Sequence, residues 1–154
     1  AIALAPGAGA AGGLGFAALA ALGAHRRAGI DVVLDLVSLS ERIDGAALVI
    51  TGEGSLDAQS LGGKTPLGVL RTAQRAAVPT IVVCGRSLLP EQELRAAGFA
   101  AVHTLIDRVD DARTSMAEAP RLLREVGAEI GRQLMAPASA DDDQQTEPAD
   151  AAGG

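Results

Sequence analysis

A chain of 154 residues with 48% apolar content is long enough to bury one core, and with no Trp, no Tyr and two Phe that core must be built from Ala, Val, Leu and Ile. A net charge of −6, with no run of Lys and Arg interleaved with aromatics, argues against nucleic acid as a partner. The single cysteine, Cys84, excludes an internal disulfide, fits a reducing cytoplasm, and reads as a small hydrophobe ending a strand rather than as a reactive thiol.

Residues 1–24 carry no charge and are long enough to span a bilayer, but eleven of them are Ala, six Gly and one Pro, which makes a poor membrane segment. Arg26 and Arg27 follow this run, whereas a signal peptide places its positive charges first, so neither membrane nor secretion is expected. Gly7, Gly9 and Gly12 meet the dinucleotide fingerprint, with Asp31 nineteen residues beyond, but no convincing strand precedes them. The stretch reads instead as a glycine-rich turn feeding a helix over 14–25, with Leu14, Ala17, Ala18, Ala21 and Leu22 on a packed face. Its glycines let backbone approach a ligand or let the helix pack closely; the residues alone weigh these equally.

Residues 30–37 suit a strand by propensity and a helix by the spacing of Ile30, Val33, Leu34 and Val37; a helix is expected, with Asp31 and Asp35 on one solvated face. A short turn over 39–43 precedes Gly45 and the first clear strand, 46–51. Beyond the polar loop that follows come a helix over 66–76, a β-branched strand over 80–84, a polar turn at Gly85-Arg86-Ser87, a helix over 90–97 closed by Gly98, and a strand over 100–106. His103, inside that strand, reads as a satisfied structural histidine, and His25 as a cation suiting a helix end. The last helix spans 115–134, with Leu122, Leu123, Val126 and Ile130 buried and Pro120 in its first turns or at a kink. From 136 to 154 no large apolar residue occurs, so a disordered acidic tail is expected behind a domain of 1–135. Strands alternating with helices imply an α/β fold with a parallel, three-layer, Rossmann-like sheet of at least three strands joined by helical crossovers.

The chemistry concentrates where the first strand ends. Gly52-Glu53-Gly54 reads as a turn, after which Ser55, Asp57, Gln59, Gly63 and Lys64 lie on a glycine-rich loop that closes on a helix start at Thr65-Pro66. A helix N-terminus with a lysine beside it suits an anion, above all a phosphate. Gly63, Lys64 and Thr65 satisfy the end of a P-loop pattern, but its first glycine falls on Ala58, so an ordinary P-loop is not expected. In a parallel sheet the Arg86 turn lies on the same edge, which makes Arg86 a second candidate phosphate contact or simply a surface cation. Phosphoryl transfer needs a phosphate cradle, a metal and a carboxylate: Asp57 is the candidate base or magnesium ligand, Glu53 a substrate contact, and Lys64 an anion holder. For each carboxylate, bonding to nearby loop N–H groups is an equally weighted alternative.

Two stretches carry a resemblance. Residues 52–69, with Gly52-Glu53-Gly54-Ser55-Leu56-Asp57-Ala58-Gln59-Ser60 and Gly63-Lys64-Thr65-Pro66-Leu67-Gly68-Val69, resemble the signature of the type I bacterial glycerate kinases, and residues 6–15, PGAGAAGGLG, resemble a second segment of that family in the matching order. The resemblance covers about residues 6–134 and is confined to the C-terminal part of the family's length; the N-terminal segment and a G-G-S-A-T-N-D-G-G-like loop have no counterpart. It implies an ATP- and magnesium-dependent kinase of D-glycerate, with Gly9, Gly12, Gly13, Gly52, Gly54, Gln59, Gly63 and Thr65 as substrate or phosphate contacts, whereas Arg86 lies in a turn, Cys84-Gly85-Arg86-Ser87, that departs from the family and is a candidate by its place on the sheet edge. It also implies that this chain is a fragment, inactive without the missing part, because a two-domain kinase closes its site between domains. A non-catalytic anion- or nucleotide-binding module is the alternative.

Overall fold

A computed structural model describes residues 2–58, 60 and 65–136. Three parallel strands, β1 (Val49–Leu56), β2 (Thr80–Ser87) and β3 (Ala101–Thr104), form one sheet in the order β1-β2-β3. Among the described residues seven α-helices accompany them: α1 (Leu14–Ala21), α2 (Gly29–Leu36), α3 (Leu39–Ile43), α4 (Thr65–Arg75), α5 (Glu91–Ala97), α6 (Ala112–Ala117) and α7 (Ala119–Met135). Spatial order follows chain order, so both crossovers step the same way, and right-handed connections then place α4 and α5 on one face. Their side chains are found there. Leu70 of α4 and Leu94 of α5 are buried with Leu56, Val82, Cys84 and Phe99. On the other face Leu122, Val126 and Ile130 of α7 pack with Ile81 and Leu105. The result is the expected three-layer α/β arrangement, and each fully buried leucine contributes roughly 1.5–3 kcal/mol.

Local chemistry explains the boundaries. Residues 29–36 are helical, and Asp31 and Asp35, on its exposed face, pair with Arg71 and Arg27 respectively. Gly68 lets α2 cross α4 closely: a Cβ there would stand 2.5 Å from Ile30 Cγ1. Gly98, at φ 112°, closes α5 as expected.

Six expectations are corrected. The strands run further than their β-branched runs: β1 continues through Gly52-Glu53-Gly54 to Leu56, and β2 through Gly85-Arg86 to Ser87, because the two remain paired, Glu53 with Cys84 and Ser55 with Arg86. Helix α1 ends at Ala21, leaving His25 outside it, and its expected packed face is open, with Leu14 and Leu22 exposed. The expected last helix is two: Asp111 caps α6, accepting from the backbone N–H of Arg113 and Thr114 at 2.8 and 2.9 Å, and α7 starts afresh with Pro120 in its first turn, where no donor is needed. Leu123 is exposed, leaving Leu122, Val126 and Ile130 as the buried stripe. β3 is shorter than expected, because Thr104 donates its hydroxyl to Asp107 and the chain turns into a 3-10 segment at Ile106–Arg108. His103 also differs from a satisfied histidine: its Nε2 is buried without a hydrogen-bond partner.

Candidate functional site

The polar residues lie at the C-terminal end of β1 and β2, where open parallel sheets bind ligands. Glu53 is inside β1, in register with Cys84, and its Oε2 is buried with no hydrogen-bond partner among the described residues. Leaving a carboxylate oxygen buried and unpaired costs free energy, so it marks a place where a ligand proton or cation would be stabilised. Cys84, 2% exposed, has its thiol pushed up to about 11, first by burial and then by the nearby charges of Asp107 and Glu53, so it stays protonated as a small packing group.

Two glycine contacts set the floor. A Cβ on Gly52 would lie 2.7 Å from the Val83 carbonyl oxygen, and one on Gly85 2.6 Å from that of Gly54, so both positions exclude a side chain. Gly54 has open space where a Cβ would go. A groove of about 510 Å³ is lined by Ile50, Glu53, Gly85, Leu123 and Gly127 among others, and a cavity of about 410 Å³ by Ser55, Arg86, Ser115 and Met116 among others. Gly54 and Gly85 border both.

Asp57 lies just past the strand. Its Oδ1 accepts from the Ser60 N–H at 2.9 Å and from the Ser60 hydroxyl at 3.1 Å, while the Ser60 Oγ accepts from the Asp57 N–H at 3.1 Å. This reciprocal turn is the local bonding weighed for a loop carboxylate, and it buries Ser60 to 1% exposure. At about 3.3 Å per extended residue, Glu53 and Asp57 stand up to about 13 Å apart, one in the sheet and one in the turn beyond it. Thr65 opens α4 and is exposed, with Pro66 buried behind it. Gln59, Gly63 and Lys64, like the expected tail beyond Ala136, lie outside the described residues. Arg86 is exposed and donates from Nε to Ser55 Oγ at 3.1 Å. Gly9, Gly12 and Gly13 belong to a separate turn before α1, where Gly12 and Gly13 take φ of 66° and 98°. Sequence reasoning missed the Ser55–Arg86 and Asp57–Ser60 pairs; the first depends on register across two strands, whereas Asp57 followed three residues later by Ser60 was a readable turn signal.

Among the described residues no cluster of three or more His, Cys, Asp or Glu is placed to hold a metal, and no helix is long and apolar enough to cross a membrane. The fold is an α/β domain with a candidate site at the carboxyl edge of a parallel sheet. Comparison makes the class specific. The sequence model of the glycerate kinase family matches residues 1–135, and the chain belongs to that family. It is 41% identical over 120 residues to a glycerate kinase of Bacillus cereus, covering 78% of this chain and 29% of that one. It is 49% identical over 80 residues to the glycerate 2-kinase of Escherichia coli K12, covering 52% and 21%. A crystal structure named as glycerate kinase 2 of Salmonella typhimurium LT2 superposes with a TM-score of 0.58 at 36% identity, over 85% of this chain and 33% of that one. The chain thus spans about a third or less of the length of these relatives.

Proposed function

We propose that this chain is part of a type I glycerate kinase, corresponding to the C-terminal portion of such an enzyme, which transfers the terminal phosphoryl group of ATP to a hydroxyl of D-glycerate. The observation that carries the reading is the buried, unpartnered Oε2 of Glu53 at the carboxyl end of β1, inside the glycine-rich signature. In this reading a glycerate hydroxyl hydrogen-bonds to Glu53, its proton passes to a carboxylate, its oxygen forms the new bond to phosphorus, and the bond from phosphorus to ADP breaks. Asp57 is the proposed base or metal ligand, its Oδ1 held in place by Ser60. Lys64, with the N–H groups at the start of α4, holds phosphate or the acid's carboxylate. Gly52, Gly54, Gln59, Gly63 and Thr65 shape that cradle, and Gly9, Gly12 and Gly13 bring backbone toward the ligand.

A magnesium ion bound with ATP would neutralise charge on the phosphates, and the donor set fits it: oxygen ligands from Asp57 or Glu53 suffice, because magnesium keeps several waters and needs no full protein cage. A cytoplasmic setting belongs to the same proposal. The chain alone is proposed to bind but not to turn over, since it covers only 29% and 33% of the relatives it matches. A coupled assay for ADP with ATP, magnesium and D-glycerate tests this. Turnover by the isolated chain overturns the claim of inactivity; absence of turnover in a full-length protein that carries this segment overturns the kinase reading.

A further inference from the structure

We infer that Arg86 and Ser55 form an oxyanion subsite in the cavity beside α6, taking the carboxylate or phosphate of a small acid. Five arginines, Arg27, Arg71, Arg95, Arg108 and Arg121, are spent on ion pairs with carboxylates. Arg86 is one of seven arginines outside those pairs among the described residues, and it is the one lining this cavity. Its Nε donates to Ser55 Oγ at 3.1 Å, and among the described residues its terminal nitrogens meet no carboxylate. A guanidinium carries five donors in a fixed fork, so four remain after Ser55 is served. The serine holds the fork in one orientation, which reduces the ordering cost of binding a planar oxyanion.

The surroundings suit such a ligand. The cavity is about 410 Å³, bounded by the backbone of Gly54 and Gly85 and walled by Ala112, Ser115 and Met116 of α6. Ser115 is 5% exposed and Met116 73%, so the wall has a buried hydroxyl-bearing residue and an apolar outer lip. Helix α6 is fastened by the Asp111 cap, with bonds of 2.8 and 2.9 Å to the backbone N–H of Arg113 and Thr114. In a chain of net charge −6, a guanidinium at the carboxyl edge of the sheet with no carboxylate bonded to it among the described residues favours an anion. The subsite stands on these observations; naming its occupant as glycerate or its phosphate rests on the proposed function.

The test uses nitrogen-15 NMR of the arginine Nε–Hε resonances in the whole chain, with Arg86 assigned through R86K. D-glycerate and inorganic phosphate are titrated separately, with sodium chloride as the ionic-strength control. The expected result is a saturable shift of the Arg86 resonance with at least one of the two. R86Q should weaken that affinity by about tenfold or more, because a charge-assisted bidentate contact is lost; R86K is the second variant should R86Q not fold. Response to glycerate alone assigns the subsite to the carboxylate, to phosphate alone to the transferred group, and to both to oxyanions in general. No saturable shift with either, or an affinity in R86Q within twofold of the parent, overturns the subsite. Binding is read without turnover, so an Arg86 response in a protein that never phosphorylates glycerate would sink the kinase reading alone, and turnover with affinity untouched by R86Q would sink the subsite alone.

Discussion

Replacing Gly85 by Ala probes the crossing of β1 and β2 beneath the site. The new Cβ would stand 2.6 Å from the Gly54 carbonyl oxygen, whereas ordinary contact begins near 3.4 Å. The obstacle is backbone in a paired strand, so no rotamer change relieves it and the strands must part by nearly an ångström. Flanking ladder hydrogen bonds each contribute about 0.5–1.5 kcal/mol, and overpacking costs about 1–3 kcal/mol. A loss of about 2–5 kcal/mol is expected, a large share of the 5–15 kcal/mol typical of a domain. Gly54→Ala is the matched control: nothing lies within 4 Å of its Cβ position and its φ is not positive, so stability should change by no more than about 0.5 kcal/mol. Urea unfolding followed by far-UV circular dichroism measures both. If Gly85→Ala unfolds at the parent midpoint with an unchanged slope, the claim that strand approach dictates this glycine is wrong. Because Gly54 borders both cavities, G54A should also keep the fold while weakening binding of D-glycerate or phosphate.

Three further outcomes are expected. Cys84, raised from 9.0 to about 11, should resist alkylation at pH 8 until denaturant is added; because the unfolded thiol ionises first, the stabilisation is full below about pH 9 and is lost as pH rises through about 11, on the order of 1–2 kcal/mol after solvent screening, read as a falling urea midpoint that C84A does not show. Ser60→Ala removes the two bonds that the Ser60 hydroxyl makes to Asp57, so a loss of about 1–2 kcal/mol is expected in the same unfolding assay. Asp111 is held below its usual range by the backbone N–H and hydroxyl of Thr114 and then by the N–H of Arg113; its contribution is present above the unfolded carboxylate value and lost as pH falls through the folded one, so the protection of the Arg113 and Thr114 amides, measured relative to the intrinsic exchange rate at each pH, should fall on acidification before that of α7.

Periodicity carried the helices well where one face is buried and less well where none is. The stripe of Leu122, Val126 and Ile130 was legible because each residue falls on one side of a 3.6-residue turn, while Leu123 sits a hundred degrees away and lines the groove instead. Helix α1 has no polar face to orient it, so its spacing could not say that Leu14 and Leu22 stay exposed. The strands were legible in their β-branched halves only. Local preference places a turn at Gly52-Glu53-Gly54, but the ladder with β2 outweighs it, and a contact between distant carbonyls and absent side chains leaves no local trace. The same extension moved Glu53 off the loop and away from Asp57, so the carboxylates were found as residues while their relation was not.

β1 is the outermost strand, so along one flank the segment bearing Glu53 has no ladder neighbour among the described residues. A strand added there would settle in steps of two residues to keep its apolar side chains inward. Each step slides a different pair of side chains past the glutamate, by about 6.6 Å. On that flank the walls around the carboxylate would be written jointly by this segment and any strand that pairs with it, and a slip of one step would exchange the surroundings of the acid while leaving every helix described above intact.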